Sequence, residues 1–464
     1  MSKRRSRTSK PFKGRRLAQP RTPTDNVRVA AAWVVEKTLD TLAPSSVFLE
    51  SALARVDEGD RPLLRELALG TMRWMRRLDH VLEQASDRPM RKIEPALRGP
   101  LRVAAYQLLF LDRVPPHAAV NEGVEHARRQ THRGGASFAN AVLRRIARNR
   151  DLADWPVEEK DSLKRLAIEK SHPDFLVERW QDRWGWAKTS ALLDANNRPK
   201  VLQLLAFRDR GGRELLAESL IDQGVTVEPS ALSPQGLVVR SGNPLRSLAY
   251  RRGDFYLQDE ASQAAALLPP PRPGERVLDA AAAPGGKSFT LLAAEPEVRL
   301  LLADVSPSRL SQVRANLRRL GRDIPVVAAD AGAAAFRGAR FDRVILDLPC
   351  TGTGTLRKNP ELKWRISQDE VGRLARQALR MLGGSAPLVA PGGNLVAITC
   401  SLEVEENEDV VHAFLAGHPE FEPLDLAGRL PFPLEEGIVG PGVWRMLPGG
   451  DHDGFTVHVM ARKR

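Results

Sequence analysis

The strongest constraint on the fold is a regular alternation of short apolar segments with longer helical segments after residue 253. Five apolar segments have the length and composition of strands: Arg276–Asp279, Arg299–Asp304, Pro325–Ala329, Arg343–Asp347 and Asn394–Cys400. Strands that alternate with helices in this way form parallel sheets covered by helices on both faces. We therefore predict an α/β domain with a doubly wound sheet over residues 254–464.

The segment before residue 151 has a different pattern. Mostly apolar residues fall on one helix face there in two sets: Leu64, Leu67, Thr71, Trp74 and Leu78, and then Leu101, Ala104, Ala105, Leu108 and Leu111. A further helix runs from about Phe138 to Ile146. This periodicity is typical of amphipathic helices, so we predict an all-α domain over residues 26–150.

Residues 151–253 combine helical segments with short strands. We predict strands at Val201–Phe207, Val225–Glu228 and Leu237–Arg240, with a helix at Glu214–Gln223. The segment is therefore expected to contain a linker and a small α+β subdomain that precedes the larger α/β domain.

The positive charge is concentrated at the N-terminus. The chain has a net charge of +13, and residues 1–150 contain 30 Lys or Arg against 15 Asp or Glu, whereas the other 314 residues contain 40 against 42. Residues 1–25 are polar and basic, and we predict that they are disordered. A basic tail before a basic helical domain indicates a polyanionic partner, with RNA as the natural candidate. A tail that only aids solubility is the alternative.

Several classes of protein are disfavoured. The sequence contains no run of 18 apolar residues, so no membrane span is predicted. No apolar segment follows the basic N-terminus, as one would in a secretory signal. The only cysteines are Cys350 and Cys400, which excludes a disulfide scaffold and a cysteine-rich zinc site. We therefore expect no metal site. We also expect a cytoplasmic protein, because free thiols persist in reducing compartments.

A glycine-rich turn follows the first strand of the α/β domain. The residues that we assign to a ligand at this turn are Ala281, Ala282, Ala283, Pro284, Gly285, Gly286 and Lys287. Small residues allow the backbone to approach a ligand, and the following helix start suits a carboxylate. The spacing of a phosphate-binding P-loop is absent. By itself, this turn is as compatible with a simple tight turn as with a cofactor site.

Three carboxylates lie at or just after the ends of successive predicted strands, namely Asp304, Asp330 and Asp347. The carboxyl ends of parallel strands meet at one edge of a sheet, where ligands of such folds bind. We expect Asp304 to hold a ribose diol and Asp330 to contact the same ligand. The alternative for each acid is that it caps the next helix.

Both cysteines also follow predicted strands, at the same edge as the carboxylates. A thiolate that adds to an electron-poor carbon of a substrate activates the neighbouring carbon, so covalent catalysis explains the use of a thiol here. The thiolate needs a nearby positive charge, which Lys287 or a cationic ligand provides. Asp347 is suited to stabilise such an adduct. The alternative is that the two cysteines are small buried side chains that only contribute to packing.

These residues resemble the RsmB/Nop/NSUN family of RNA cytosine-5 methyltransferases. The resemblance rests on Gln258–Gln263, Asp279–Ser288, Asp347–Cys350, Gly352–Trp364, Thr399–Ser401, Glu405–Glu408 and Asp453–Phe455. It implies a Rossmann-like class I methyltransferase domain that uses S-adenosylmethionine. It also implies that Cys400 is the nucleophile, that Cys350 aids release, and that residues 281–287 with Asp304, Asp330 and Asp347 bind the cofactor.

The N-terminal domain resembles the NusB-type RNA-binding domain through Ala119–Gly123 and Phe138–Arg145. Its combination with this catalytic core implies 16S rRNA as the substrate, and we expect a monomer. The sequence departs from the family at Ala281, where Cys is frequent, and at Ala397, where Tyr is common. A tRNA methyltransferase of the same family and a non-catalytic, antitermination-like RNA-binding factor are the alternatives. A nucleotide-binding oxidoreductase is disfavoured because the Gly-x-Gly-x-x-Gly motif is absent.

Overall fold

The structure is a computed structural model that describes residues 25–41, 43–333, 336, 338, 340–430 and 434–464. The predicted disordered tail lies outside these residues except for Asp25. The chain divides into two compact units. The first unit comprises residues up to 68 together with 91–148, and the second comprises residues 69–90 together with 149–464.

The described residues between 27 and 148 are mainly helical, as predicted. The helices are α1 (Val27–Thr41), α2 (Ser45–Leu53), α3 (Arg61–Arg73), α4 (Met75–Ser86), α5 (Pro95–Phe110), α6 (Pro116–Gln130) and α7 (Arg133–Arg148). In the first unit, a side chain at Gly123 of α6 would approach both Ala104 of α5 and Leu143 of α7 to 2.8 Å. Glycine at this position therefore allows three helices to pack closely.

The helix face predicted from Leu64 to Leu78 is interrupted in the structure. The helix breaks at Trp74, between α3 and α4, and residues 69–90 belong to the second unit rather than to the N-terminal domain. The carbonyl oxygens of Met72 and Arg73, near the end of α3, accept hydrogen bonds from Trp364 and Lys363 at 2.7 and 3.2 Å. Because these donors are distant in sequence, helical periodicity alone does not reveal the break.

The small α+β subdomain is present in the second unit. Its elements are α8 (Ser162–Glu169), α9 (Asp174–Asn197), β1 (Gln203–Ala206), α10 (Gly212–Ile221), β2 (Thr226–Pro229), β3 (Gly236–Ser241), α11 (Leu248–Arg252) and β4 (Phe255–Leu257). The strands form an antiparallel sheet in the order β2-β3-β1-β4. Strand β4 lies beyond the boundary expected at residue 253. A three-residue strand is too short to produce a detectable alternation in the sequence.

The remaining elements form the α/β domain, whose strands build a nine-stranded sheet. They are α12 (Glu260–Ala266), β5 (Arg276–Asp279), α13 (Gly286–Ala294), β6 (Arg299–Asp304), α14 (Pro307–Leu320), β7 (Val326–Ala328), β8 (Phe341–Asp347), α15 (Gln368–Ser385), β9 (Val389–Thr399), α16 (Glu408–Gly417), β10 (Phe421–Pro423), β11 (Ile438–Gly440), β12 (Val443–Met446) and β13 (Phe455–Arg462). Five neighbouring strands are parallel, in the order β9-β8-β5-β6-β7. They correspond to the five predicted strands.

Four further strands were not predicted. Strand β13 pairs antiparallel with β9, and β12 and β10 pair with β13. The central strands alternate between two cores, since Val277 and Ile345 face one cluster while Leu278 and Val344 face the other. The strand order reverses between β5 and β8, where the loops diverge and leave a crevice at the carboxyl edge. Among the described helices, none is long and apolar enough to cross a membrane.

Candidate active site

A cleft of about 440 Å³ lies at the carboxyl edge of the parallel strands. It brings together six of the predicted site residues: Ala281, Asp304, Asp330, Asp347, Cys350 and Cys400. These residues follow or end β5, β6, β7, β8 and β9, so parallel strand topology explains their convergence. The volume falls within the range of small-molecule sites.

Asp304 is the most buried of the three predicted cofactor carboxylates. Its side chain is 2% exposed and accepts hydrogen bonds from the N–H groups of Ser306 at 2.9 Å and Ala283 at 3.3 Å. A guanidinium nitrogen of Arg309 lies 3.4 Å from the same carboxylate. The helix cap of α14 is Ser306, so Asp304 is not needed for that role.

Asp330 is exposed and accepts a hydrogen bond from the N–H of Gly332 at 2.8 Å. This contact matches the capping role that the sequence left open for Asp330. Because Asp330 also lines the cleft, its predicted contact with a ligand stays compatible with its position.

The glycine-rich turn lies between β5 and α13, but only its first residues line the cleft. Gly285 has a φ of +113°, and a side chain there would meet the ring of Phe289 at 2.4 Å. A side chain at Gly286 would approach Gln258 at 3.3 Å. Protein side chains therefore bound the space next to both glycines. The two glycines have a packing role in addition to the predicted ligand contact. Ala282, Ala283, Pro284 and Lys287 likewise do not line the cleft.

Lys287 pairs with Asp347 behind the cleft. The Lys287 Nζ lies 3.2 Å from Asp347 Oδ2 and 5.1 Å from the centre of the Phe455 ring. Burial by itself would lower the pKa of Lys287, but the charges of Asp347, Cys400 and Asp279 raise that pKa above its usual value. Lys287 is thus held as an ammonium group close to a carboxylate and a thiol.

The two thiols face each other across the loops that follow β8 and β9. Their Sγ atoms are 3.5 Å apart. The hydrogen bond with Cys400, together with burial and the nearby charges of Cys400, Glu406 and Asp347, raises the pKa of Cys350 well above its usual value. Cys350 is therefore the thiol that keeps its proton when one negative charge is shared by the pair.

The backbone around Cys400 is fixed by two glycines from distant motifs. The N–H of Gly354 donates to the Cys400 carbonyl at 2.8 Å, and the N–H of Gly454 donates to the Gly354 carbonyl at 2.7 Å. A side chain at Gly354 would meet the Gly454 carbonyl oxygen at 2.3 Å. Only glycine allows this approach, which explains why the motifs around residues 352 and 453 belong to the same site.

Several lining residues were not predicted from the sequence. Val305 and Arg309 follow Asp304, and Gln377, Arg380 and Met381 come from α15. Helix α15 has ordinary amphipathic periodicity, so nothing local to these residues marks them. Their position after the fourth parallel strand was the only available signal, because helices that follow such strands lie beside the crevice.

Sequence models of three families match successive parts of the chain. The NusB family matches residues 27–148, and a Methyltr_RsmF/B-like, ferredoxin-like domain matches residues 172–246. The family described as 16S rRNA methyltransferase RsmB/F matches residues 265–459. These matches follow the helical, α+β and α/β segments of the fold in order.

Similar proteins align over nearly the full length. The chain is 33% identical to the probable ribosomal RNA small subunit methyltransferase B of Bacillus subtilis strain 168, covering 94% of this chain and 99% of that protein. It is 35% identical to ribosomal RNA small subunit methyltransferase B of Pseudomonas syringae pv. tomato, covering 93% and 95%. The crystal structure of PH0851 matches with 26% identity and a TM-score of 0.76, covering 96% of this chain and 100% of that chain. The chain is therefore a member of the RsmB/F family of 16S rRNA methyltransferases.

Proposed function

We propose that this protein transfers a methyl group from S-adenosylmethionine to carbon 5 of a cytidine in 16S rRNA, with Cys400 as the nucleophile. The observation that carries the proposal is the thiol pair, 3.5 Å apart, in a cleft that also holds three carboxylates. A simple binding protein has no need for two facing thiols beside a buried ammonium group. The family matches of the N-terminal and catalytic segments support the same assignment.

The donor set of the cleft fits the cofactor. Asp304 suits the ribose hydroxyls, because its buried carboxylate lines the cleft and retains acceptor capacity. We assign Asp330 and residues 281–287 to the remaining parts of the cofactor. No side-chain hydrogen bond caps the start of α13, and a helix N-terminus suits the carboxylate of the cofactor. S-adenosylmethionine supplies an electrophilic methyl group when bound.

The nucleophile is assigned to Cys400 on electrostatic grounds. The charge of Cys400 contributes to the raised pKa of Lys287, so a cation lies close to the proposed nucleophile. The two thiols are within hydrogen-bonding distance of each other, and the carboxylates of Asp347 and Glu406 lie near Cys350. Asp347 also lines the cleft, and we assign its carboxylate to the N3 edge of the base.

The thiol pair also accounts for the release step. Once Cys400 is bonded to carbon 6, it no longer carries the charge that holds the proton on Cys350. The pKa of Cys350 then falls, and its proton leaves to solvent. The Cys350 thiolate removes the carbon 5 proton, the C5–C6 double bond forms again, and Cys400 departs as a thiolate. One proton is released in each cycle, which balances the transfer of a methyl cation.

We expect the protein to act as a monomer in the cytoplasm. The thiols and the assigned cofactor residues come from a single chain, so no second copy is needed to complete the cleft. A reducing compartment keeps both thiols free for catalysis.

The test is methylation in vitro of 16S rRNA, of small ribosomal subunits and of tRNA, followed by bisulfite sequencing. We expect a protected cytidine in 16S rRNA that depends on the protein and on S-adenosylmethionine. Protection confined to tRNA would replace the substrate assignment. Methylation at a position other than carbon 5, or no methylation of any of these RNAs, would overturn the proposed reaction.

A further inference from the structure

The Glu405–Glu408 motif, which follows Cys400, contains two buried polar residues, and neither of them lines the cleft. Glu406 and Asn407 are each 1% exposed and lie between β9 and α16. Asn407 accepts a hydrogen bond from the Thr399 hydroxyl at 2.6 Å and donates to the carbonyls of Ser401 and Glu403 at 3.2 and 2.7 Å. These contacts hold the loop of Cys400.

Glu406 holds the other loop. Its Oε1 accepts the backbone N–H of Thr351 at 2.8 Å, and its Oε2 accepts the Thr351 hydroxyl at 2.7 Å. Thr351 is the residue immediately after Cys350. Burial raises the pKa of Glu406, and hydrogen bonds from the hydroxyl of Ser401, the residue immediately after Cys400, and from that of Thr351 oppose this rise. One buried carboxylate thus contacts the residues that follow both thiols.

We propose that Glu406 is a positioning residue that anchors the loop of Cys350 to the loop of Cys400 and directs its negative charge toward Cys350. This inference rests on the proposed function, because it concerns the roles of the two thiols in that reaction. The charge of Glu406 acts on Cys350 together with those of Asp347 and Cys400, whereas Lys287 interacts with Cys400. The hydrogen bonds to Thr351 hold the Glu406 carboxylate beside the residue that follows Cys350, so its charge opposes the ionisation of Cys350.

The arrangement explains why the charged form is required. A neutral amide at position 406 would still accept one hydrogen bond from Thr351, but it would lose the second acceptor and the charge. Without that charge, ionisation of Cys350 becomes easier, since a like charge beside an acid disfavours the ionised form. The thiol pair would then share its negative charge more equally between the nucleophile and the release base.

The chain offers a direct test, because it contains only two cysteines. In Cys400→Ser, Cys350 is the sole thiol, and the pH dependence of its alkylation by iodoacetamide reports its ionisation. Adding Glu406→Gln should move the midpoint to lower pH by roughly one unit. The matched control is Glu405→Gln in the same background, because Glu405 pairs instead with Arg179. We expect the control to leave the midpoint unchanged.

An unchanged midpoint in Glu406→Gln, or equal shifts in Glu406→Gln and Glu405→Gln, would overturn the assignment. The titration needs neither RNA nor cofactor, so its failure leaves the proposed methyl transfer intact. Conversely, absence of methylation by the unaltered protein would overturn the proposed function without affecting the thiol titration.

A second variant covers the case in which Glu406→Gln does not fold. Glu406→Asp keeps the charge but shortens the anchor, so the midpoint should stay high in the Cys400→Ser background. With Cys400 present, kcat should fall about tenfold or more, while the affinity for S-adenosylmethionine stays within about twofold. An equal loss of cofactor affinity would indicate a collapsed cleft and would overturn the positioning role.

Discussion

The sulfur atoms of Cys350 and Cys400 lie 3.5 Å apart although 50 residues separate them in the chain. Their proximity follows from β8 and β9, which are adjacent parallel strands whose ends present the two loops side by side. The hydrogen bond with Cys400 therefore raises the pKa of Cys350, and substitution of one thiol is expected to have a different effect from substitution of the other.

Cys400→Ser should abolish methylation and any covalent adduct, because an alkoxide is scarcely populated at neutral pH. Cys350→Ala should still attack the base but release the product on the order of a hundredfold more slowly, the scale of a lost general base. It should accumulate a protein–RNA complex that survives denaturing electrophoresis. An adduct trapped by Cys400→Ser instead would exchange the roles, and full activity in both variants would refute covalent catalysis.

Asp304→Ala should weaken the binding of S-adenosylmethionine by roughly 10- to 100-fold, because hydrogen bonds to a charged group contribute about 1.5–3 kcal/mol. Affinity for RNA should stay within about twofold. Calorimetry with the cofactor and a filter-binding assay with rRNA measure the two effects. Asp323→Ala, which removes an exposed carboxylate outside the cleft, is the control. Equal cofactor affinity in the two variants would disprove the assigned contact.

The basic tail should contribute to the salt dependence of RNA binding. Replacing the nine Lys and Arg of residues 1–24 by Gln should make the slope of log affinity against log salt shallower by at least about two, since each phosphate contact contributes about 0.7–0.9. An unchanged slope would place the RNA footprint elsewhere. Deletion of residues 1–150 is unsuitable, because it would also remove residues 69–90, which belong to the second unit.

Lys363→Met should destabilise the second unit by about 2–4 kcal/mol. The buried Nζ of Lys363 donates to the carbonyls of Arg73 and Ser171 at 3.2 Å and to Asn197 Oδ1 at 2.6 Å. Removing it leaves three buried acceptors without this donor. Lys358→Met, at an exposed position, should change the free energy of unfolding by less than about 0.5 kcal/mol. Urea denaturation distinguishes the two, and equal stabilities would show that Lys363 has no structural role.

His458 should make the protein sensitive to acid. Burial lowers the pKa of His458 to about 4, so the folded protein binds its proton less readily than the unfolded chain does. The resulting stability is fully present above pH 6.5 and is lost as the pH falls from about 6.5 to 4, by about 1.4 kcal/mol for each unit. His458→Gln should flatten this part of the stability profile, whereas His117→Gln, at an exposed position, should not. Parallel profiles for the unaltered protein and His458→Gln would contradict the assignment.

The sequence alone determined the elements whose pattern is local. The five parallel strands, the helical N-terminal domain, the carboxylates at strand ends and the thiols after β8 and β9 could all be predicted. Each is marked by periodicity, by a motif or by its position after a strand, and parallel topology then brings such positions to one edge. The family resemblance added the cofactor and the reaction.

How distant segments meet could not be predicted from local patterns and follows from the packing of the folded chain. The tertiary structure interrupted the helix face at Trp74, assigned residues 69–90 to the second unit, added the antiparallel strands β10 to β13, and brought α15 to the cleft. It also placed Glu406 between the loops of the two cysteines. Local periodicity reports which face of an element is buried, but the partner of that face depends on packing across the whole fold. A buried carboxylate such as Glu406 gains its role only from the groups that surround it.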